Sequence, residues 1–283
     1  MTEKRALWLV ANPASGSNTP AAIEALESCC GDHGFSLERR IAFPDEPLPN
    51  AAALDSAGVD TLAIYAGDGT INAAVTGLYG WGGAILVLPG GTMNLLARRL
   101  HGDSPTEQIV ACAGAGAARR VRPKVARTAY GDALAGLLAG PGTSWYAVRE
   151  AMRDIDIAGM AESAGEAFAE TTGGSMLHCA EPRLGRADGY PLLEITPGQW
   201  GMQLDAYHAE NAGEFIQQGL ALLRRQFREG PHDRLGLLDR LEVAGGGESI
   251  GLLIDGERVE GAAREEFTVA ACEVDLLATQ NGS

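Results

Sequence analysis

Thr61-Leu62-Ala63-Ile64-Tyr65-Ala66-Gly67-Asp68-Gly69-Thr70-Ile71-Asn72 passes from a short apolar run through two glycines into an amphipathic stretch. The apolar part reads as a buried strand, the end as the start of a helix. Glycines at such a junction allow positive φ and let backbone N–H groups approach an anion, the arrangement of a phosphate cradle. Asp68 is out of keeping with a simple cradle. A carboxylate beside a phosphate is repulsive unless a metal ion or a transferable proton lies between them. The stretch therefore points to phosphoryl transfer.

Two further loops share the design. Leu86-Val87-Leu88-Pro89-Gly90-Gly91-Thr92-Met93-Asn94 again leads a strand into glycines, and Thr92 is placed to cap a helix carrying Leu95, Leu96 and Leu100. At the N-terminus, Leu7-Trp8-Leu9-Val10 runs on to Asn12-Pro13-Ala14-Ser15-Gly16-Ser17. One Gly-rich turn is usually punctuation. Three, at the carboxyl ends of three apolar strands, mark the crevice where open α/β sheets bind ligands.

Asn12-Pro13 with Ser15-Gly16, Gly67-Asp68-Gly69-Thr70 with Asn72, and Pro89-Gly90-Gly91-Thr92 with Asn94 and Ala97-Arg98 resemble the motif set of the diacylglycerol kinase catalytic domain. Ile254-Asp255-Gly256-Glu257 is similar to that family's late Asp-Gly-Glu motif. The resemblance is good over residues 5 to about 122 and about 237 to 278, and patchy between. It implies an α/β fold of the NAD kinase/diacylglycerol kinase type, with a parallel-sheet domain, a β-sandwich domain and the active site in the cleft between them. It also implies ATP and Mg²⁺ as cofactors, and a lipid acceptor presented at a membrane surface. ATP phosphates are then expected over Gly67, Asp68, Gly69 and Thr70, with Thr92 and Asn94 opposite and Asn12, Ser15 and Gly16 contributed by the first loop. Asp255 joins this cofactor-binding set. The family's general base maps to Glu257, and Asp68 suits the Mg²⁺ and acceptor side. An Asp-Gly hairpin with exposed acids would account for residues 255–257 were that motif alone.

Asp188-Gly189-Tyr190-Pro191 resembles the segment near which some family members hold a structural Mg²⁺, making Asp188 a candidate metal ligand; a turn before a strand reads the same residues equally well. Two departures stand out. Ala66 replaces the first glycine of the usual Gly-Gly-Asp-Gly. Residues 125–180 lack the family's Gly-Phe-Asp-type segment and carry Ala139-Gly140-Pro141-Gly142-Thr143-Ser144-Trp145 instead, which leaves acceptor specificity open.

Composition narrows the alternatives. The 283 residues suit two domains, placed at 1–122 and 123–283, with the C-terminal strand a candidate to return to the first. No apolar run reaches the length of a membrane span and no signal peptide is visible, so a cytoplasmic protein, peripheral at the inner face of the membrane, is expected. The five cysteines, Cys29-Cys30 included, show neither zinc nor disulfide spacing, and the five histidines show no metal-ligand pattern. Lysine occurs only at positions 4 and 124, so neither a Walker A loop nor a protein-kinase β3 lysine can be built. Charge would then be met by backbone N–H groups, Mg²⁺ and arginine.

The net charge of −15 is uneven: residues 1–122 carry 9 basic and 12 acidic side chains, residues 123–283 carry 13 and 25. Such a field repels nucleic acid, so no nucleic-acid partner is expected. Arg119-Arg120-Val121-Arg122-Pro123-Lys124-Val125-Ala126-Arg127 is the one cationic cluster; an interdomain strand with a solvated face explains it better than a headgroup site. Leu134–Gly140 with Trp145 and Tyr146 is a candidate acceptor entry, and a buried strand leading into a helix reads that stretch too. The second half is expected to hold strands near 174–180, 191–196, 237–243, 249–254 and 266–274, helices over 144–170 and 211–228, and a hairpin turn at Ala244-Gly245-Gly246-Gly247. A homodimer is left open. Two rivals to the lipid kinase remain: an NAD kinase-like enzyme, and a nucleotide- or lipid-binding protein without phosphotransfer.

Overall fold

The structure, a computed structural model, describes residues 4–13, 15, 18–144, 176–207 and 232–280. Gly16, Trp145, Tyr146 and the expected helices 144–170 and 211–228 lie outside these residues. The chain divides into two compact units, Met1–Val125 with Ala271–Ser283, and Ala126–Ala270.

In the first unit, β1 (Arg5–Ala11), β2 (Phe35–Ala42), β3 (Thr61–Ala66) and β4 (Ala84–Pro89) alternate with α1 (Pro20–Asp32), α2 (Ala51–Ser56), α3 (Asp68–Gly77), α4 (Leu95–His101) and α5 (Thr106–Gly114). Their order is β2-β1-β3-β4, all parallel, and the sheet continues through β15 (Asp275–Ala278) to β5 (Arg119–Val121). β15 pairs parallel with β4 and antiparallel with β5. β3 and β4 are nearly continuous apolar runs because both faces of a parallel sheet are covered by helices. Leu7, Leu9, Ala63, Leu86 and Leu88 form one core with Leu26 of α1 and Ile109 and Val110 of α5. Ile71, Val75, Leu96 and Leu100, on α3 and α4, are likewise buried.

The second unit is a nine-stranded sheet: β6 (Lys124–Thr128), β7 (Gly131–Ala133), β8 (Leu137–Ala139), β9 (Leu177–Glu181), β10 (Leu192–Gly198), β11 (Gly201–Tyr207), β12 (His232–Leu238), β13 (Arg240–Ile254) and β14 (Glu257–Ala271). Every pairing resolved among its members is antiparallel.

Ala244-Gly245-Gly246-Gly247 is not a hairpin turn. It lies within β13, where pairing to β14 jumps from Ala244↔Arg264 to Ser249↔Ala262. The extra residues make a bulge that switches the buried positions from odd (Leu241, Val243) to even (Ile250, Leu252, Ile254). Small, flexible glycines in a strand interior signal a bulge as readily as a turn. The two expected strands 237–243 and 249–254 are therefore one, and β13 pairs with β9 along its first half and β8 along its second.

Candidate functional site

The three loops at the carboxyl ends of β1, β3 and β4 converge. The Asn12 N–H donates to the Tyr65 carbonyl at 3.3 Å, and Asn12 Nδ2 reaches Thr70 Oγ1 at 3.5 Å. Within the first loop, the Ser15 N–H donates to the Asn12 carbonyl at 3.1 Å. Asn18, missed in the sequence, is the clasp. It is 2 % exposed, and its Nδ2 donates at 3.1 Å to both the Asn12 and the Tyr65 carbonyls. Nothing local could have revealed it, because its partners belong to two different strand ends.

The loop glycines serve close approach rather than unusual backbone angles. None of Gly67, Gly69, Gly90 and Gly91 has positive φ. A Cβ on Gly67 would stand 2.7 Å from Ser15 Oγ, one on Gly91 2.7 Å from Gly67 Cα, and one on Gly90 2.6 Å from the Ala66 nitrogen. At Gly90 and Gly91 the atoms met are backbone, so no side chain fits without a backbone shift; at Gly67 the Ser15 hydroxyl would have to turn away. The departure at Ala66 is also explained: it is the fully buried last residue of β3, paired with Pro89 and not at positive φ, so alanine meets no conformational penalty.

α3 begins at Asp68, with Gly67 as its N-cap and no capping side chain. Asp68, Gly69 and Thr70 thus form its first turn, where N–H groups lack intrahelical acceptors and the helix dipole favours an anion. Asp68 Oδ1 accepts from the Leu95 N–H at 2.8 Å, tying the start of α3 to the start of α4. α4 is not capped by Thr92, which is exposed; its N-cap is Asn94, in the left-handed region at φ 53. In that conformation the Asn94 side chain turns back, and Oδ1 accepts from the Gly91 N–H at 2.7 Å. Left-handed backbone in a non-glycine residue is uncommon, and asparagine tolerates it best.

This set suits a phosphate group: an uncapped helix start, the Thr70 hydroxyl, the Asn12 amide and the nearby Ser15 hydroxyl. For Mg²⁺ it offers the Asp68 carboxylate. Among the described residues no three His, Cys, Asp or Glu side chains gather to hold a metal. Magnesium on a nucleotide commonly takes one or two carboxylates, phosphate oxygens and water, so a lone carboxylate fits that mode.

Asp255 and Glu257 belong to the second unit. Asp255 (φ 46) and Gly256 (φ 96) are the two central residues of the β13–β14 hairpin, closed by the pair Ile254↔Glu257. Positive φ at both positions is the type I′ geometry that Asp-Gly favours. Asp255 is 3 % exposed: Oδ2 accepts from the Leu134 N–H at 2.6 Å, and Oδ1 from the Ala135 and Gly136 N–H groups at 2.9 Å each. Its own N–H donates to the Gly136 carbonyl at 3.0 Å. Its carboxylate is thus occupied by backbone of its own unit and clamps the hairpin to residues 134–136. Glu257, the first residue of β14, is exposed. The stretch Leu134–Gly140 contains β8, an internal strand between β10 and β13 with Leu137 and Ala139 buried, so it is core rather than an open acceptor entry.

Asp188 is exposed and ion-paired with Arg186 at 3.2 Å, which draws its carboxyl below the usual range. A guanidinium there opposes a cation. The basic cluster is also engaged: Arg119 donates to the Gln280 carbonyl, Arg120 and Arg122 bond Asp275, and Arg127 makes a two-pronged pair with Asp132. Cys29 and Cys30 are both free thiols; burial pushes Cys30 up to about 12 and Cys179 up to about 11, so both stay protonated.

Residues 6–128 match the family model of the diacylglycerol kinase catalytic domain. Among solved structures, a diacylglycerol kinase from Bacillus anthracis str. Sterne aligns over 98 % of this chain and 98 % of its own at 11 % identity, with a TM-score of 0.59. Another from the same organism, whose kinase assignment is provisional, aligns over 98 % of this chain and 96 % of its own at 13 % identity, also with a TM-score of 0.59. None of the curated proteins matches. At these identities the likeness establishes the fold: a parallel-sheet α/β unit and a separate antiparallel-sheet unit.

Proposed function

Because residues 6–128 match the family model of the diacylglycerol kinase catalytic domain, we propose that this protein is an ATP-dependent, Mg²⁺-requiring kinase that phosphorylates a hydroxyl of diacylglycerol or a similar lipid. The observation carrying this reading is the triple-loop site. Asn12, Ser15, Gly67, Asp68, Thr70 and Asn94 come together there, around an uncapped helix start with an acid in its first turn. The backbone N–H groups of Gly69 and Thr70, with the Thr70 hydroxyl, bind and orient phosphate; Thr92 lies on the loop after β4. Bound Mg²⁺ would supply the positive charge that lets Asp68 and the phosphates share the site. Asp68, held by the Leu95 N–H, is the residue to fix that ion.

Glu257 is assigned as the general base that accepts the acceptor hydroxyl's proton. Such a hydroxyl ionises far above neutral pH, and a positioned base contributes about 10²–10⁴-fold. Asp255 is reassigned from cofactor binding to positioning, since its carboxylate holds the turn that presents Glu257. A tight hairpin anchored by three N–H groups gives the glutamate a fixed base. A metal ion at Asp188 would have to displace the Arg186 guanidinium that the carboxylate pairs with. A lipid acceptor implies contact with a membrane, and no helix among the described residues is long and apolar enough to cross one.

ADP release measured with a panel of detergent-dispersed lipids, and with NAD as competitor acceptor, tests the assignment. Release with a diacyl lipid alone is expected. Release with NAD alone would make this an NAD kinase-like enzyme, and ATP binding without release on any acceptor would leave a binding protein.

A further inference from the structure

The two most exposed large apolar side chains among the described residues lie at one end of the same sheet segment. Trp200 is 77 % exposed and Leu237 57 % exposed. Trp200 lies in the two-residue turn Gln199-Trp200 between β10 and β11, closed by the pair Gly198↔Gly201. Leu237 is on β12, the terminal strand of the sheet, opposite Gln203. Both are therefore at one end of the three-stranded β10–β11–β12 segment. The opposite end of the β11–β12 pair is marked by Tyr207↔His232.

Charge sets this end apart. In a half-chain carrying 13 basic and 25 acidic side chains, residues 195–204 contain no charged residue at all, and neither do 235–238. The nearest cations are engaged within the unit, Arg234 with Asp205 at 3.2 Å and Arg240 with Glu266. The exposed Asp239 carboxylate lies at this same end, 3.6 Å from where a Cβ on Gly201 would stand. A tip with a protruding indole, a carboxylate and both flanking arginines engaged is poorly suited to an anionic surface or polymer. Its two isolated side chains are also too small a patch for a stable protein interface, which needs roughly 1,000 Å² or more. It does match a fluid interface of neutral lipid. Indole prefers the boundary between headgroup and acyl chain, with its N–H in the polar layer and its ring in the apolar one.

We propose that the β10–β11 turn, with Trp200 inserted and Leu237 at the same end of the sheet, docks this protein on an uncharged or zwitterionic lipid surface. The inference rests on the lipid-acceptor reading for its purpose, but not for its measurement. Docking brings the protein to a bilayer without polybasic attraction; the arginines of the one cationic cluster bond Gln280, Asp275 and Asp132 instead.

The test is binding of the full chain to phosphatidylcholine vesicles, followed by flotation and by quenching of tryptophan fluorescence with lipids brominated in the acyl chain. Wild type is expected to bind, to be quenched, and to lose little affinity between low and high salt. Trp200→Ser should weaken binding by about tenfold or more and remove most of the quenching; Leu237→Ser should weaken it less. Both side chains are exposed, so both variants should melt as wild type does and release ADP normally with detergent-dispersed lipid. Unchanged flotation of Trp200→Ser would overturn the proposal. So would a steep loss of binding with salt, or a concentration-dependent dimer in sedimentation that Trp200→Ser abolishes. If no lipid supports ADP release yet vesicle docking depends on Trp200, the kinase reading fails and the docking surface stands.

Discussion

At the scale of single residues, the site depends on what is missing as much as on what is present. Gly91 has ordinary backbone angles, yet a Cβ there would stand 2.7 Å from Gly67 Cα, and backbone cannot swing aside as a long side chain can. Gly91→Ala is therefore expected to lower stability by about 1–3 kcal/mol through overpacking and to push the second and third loops apart. Calorimetry should show ATP affinity falling with it; unaltered affinity would mean the two loops do not bind phosphate together. Asp255 gives the opposite case, a carboxylate whose removal strands buried donors. Asp255→Ala leaves the N–H groups of Leu134, Ala135 and Gly136 without their acceptor; each unsatisfied buried group costs about 1–3 kcal/mol. A large drop in Tm is expected, along with reduced kcat at temperatures where the variant stays folded, and near-normal ATP affinity. Glu257→Gln should separate from it cleanly, with Tm unchanged and kcat lower by about a hundredfold or more. Normal turnover in that variant would remove Glu257 from the chemistry.

Among the elements, α4 shows how the phosphate-facing end and the core are coupled. Its first N–H is held by Asp68, and its last residue, His101, is fully buried. His101 Nε2 donates to the Val87 carbonyl of β4 at 3.0 Å, and Nδ1 accepts from the Thr279 hydroxyl at 3.1 Å, just past β15. Burial pushes its pKa down to about 4, so the ring is neutral in the folded protein at neutral pH. The unfolded chain, titrating near 6.5, takes up a proton that the native state refuses. This contribution is complete above about pH 6.5 and is lost as pH falls toward 4, by about 3 kcal/mol in all. Melts between pH 7.5 and 4.5 should show wild-type Tm falling more steeply than that of His101→Gln; parallel slopes would show that the histidine is not the sensitive group.

At the scale of the whole molecule, the first unit is closed by the far end of the chain. β15 occupies the position between β4 and β5, with Leu276 and Leu277 buried. Arg120 and Arg122 pair with its Asp275, and Arg119 with the Gln280 carbonyl. Residues 1–125 expressed alone are thus expected to lack an interior strand and expose the long flank of β4. Such a fragment should be aggregation-prone and protease-sensitive. Adding a peptide of residues 271–283 should restore protection; protection without the peptide would show that β15 is dispensable.

Local chemistry sufficed for much of this. The parallel α/β half is legible because apolar runs, glycine and proline punctuation and helix-start signals act over a few residues, and the motifs at 12–16, 67–72, 89–94 and 254–257 lie where those signals change. An apolar run does not reveal its neighbours, however, so β11 and β12 went unread and β13 was divided at its bulge. The roles of Asn18 and Asp255 are set by hydrogen bonds across 47 and 121 positions of sequence. The same is true of the place of β15 beside β4 and the exposure of Trp200. Contacts between residues far apart along the chain exist only once the chain has folded, and their identity depends on geometry that no short window of residues contains.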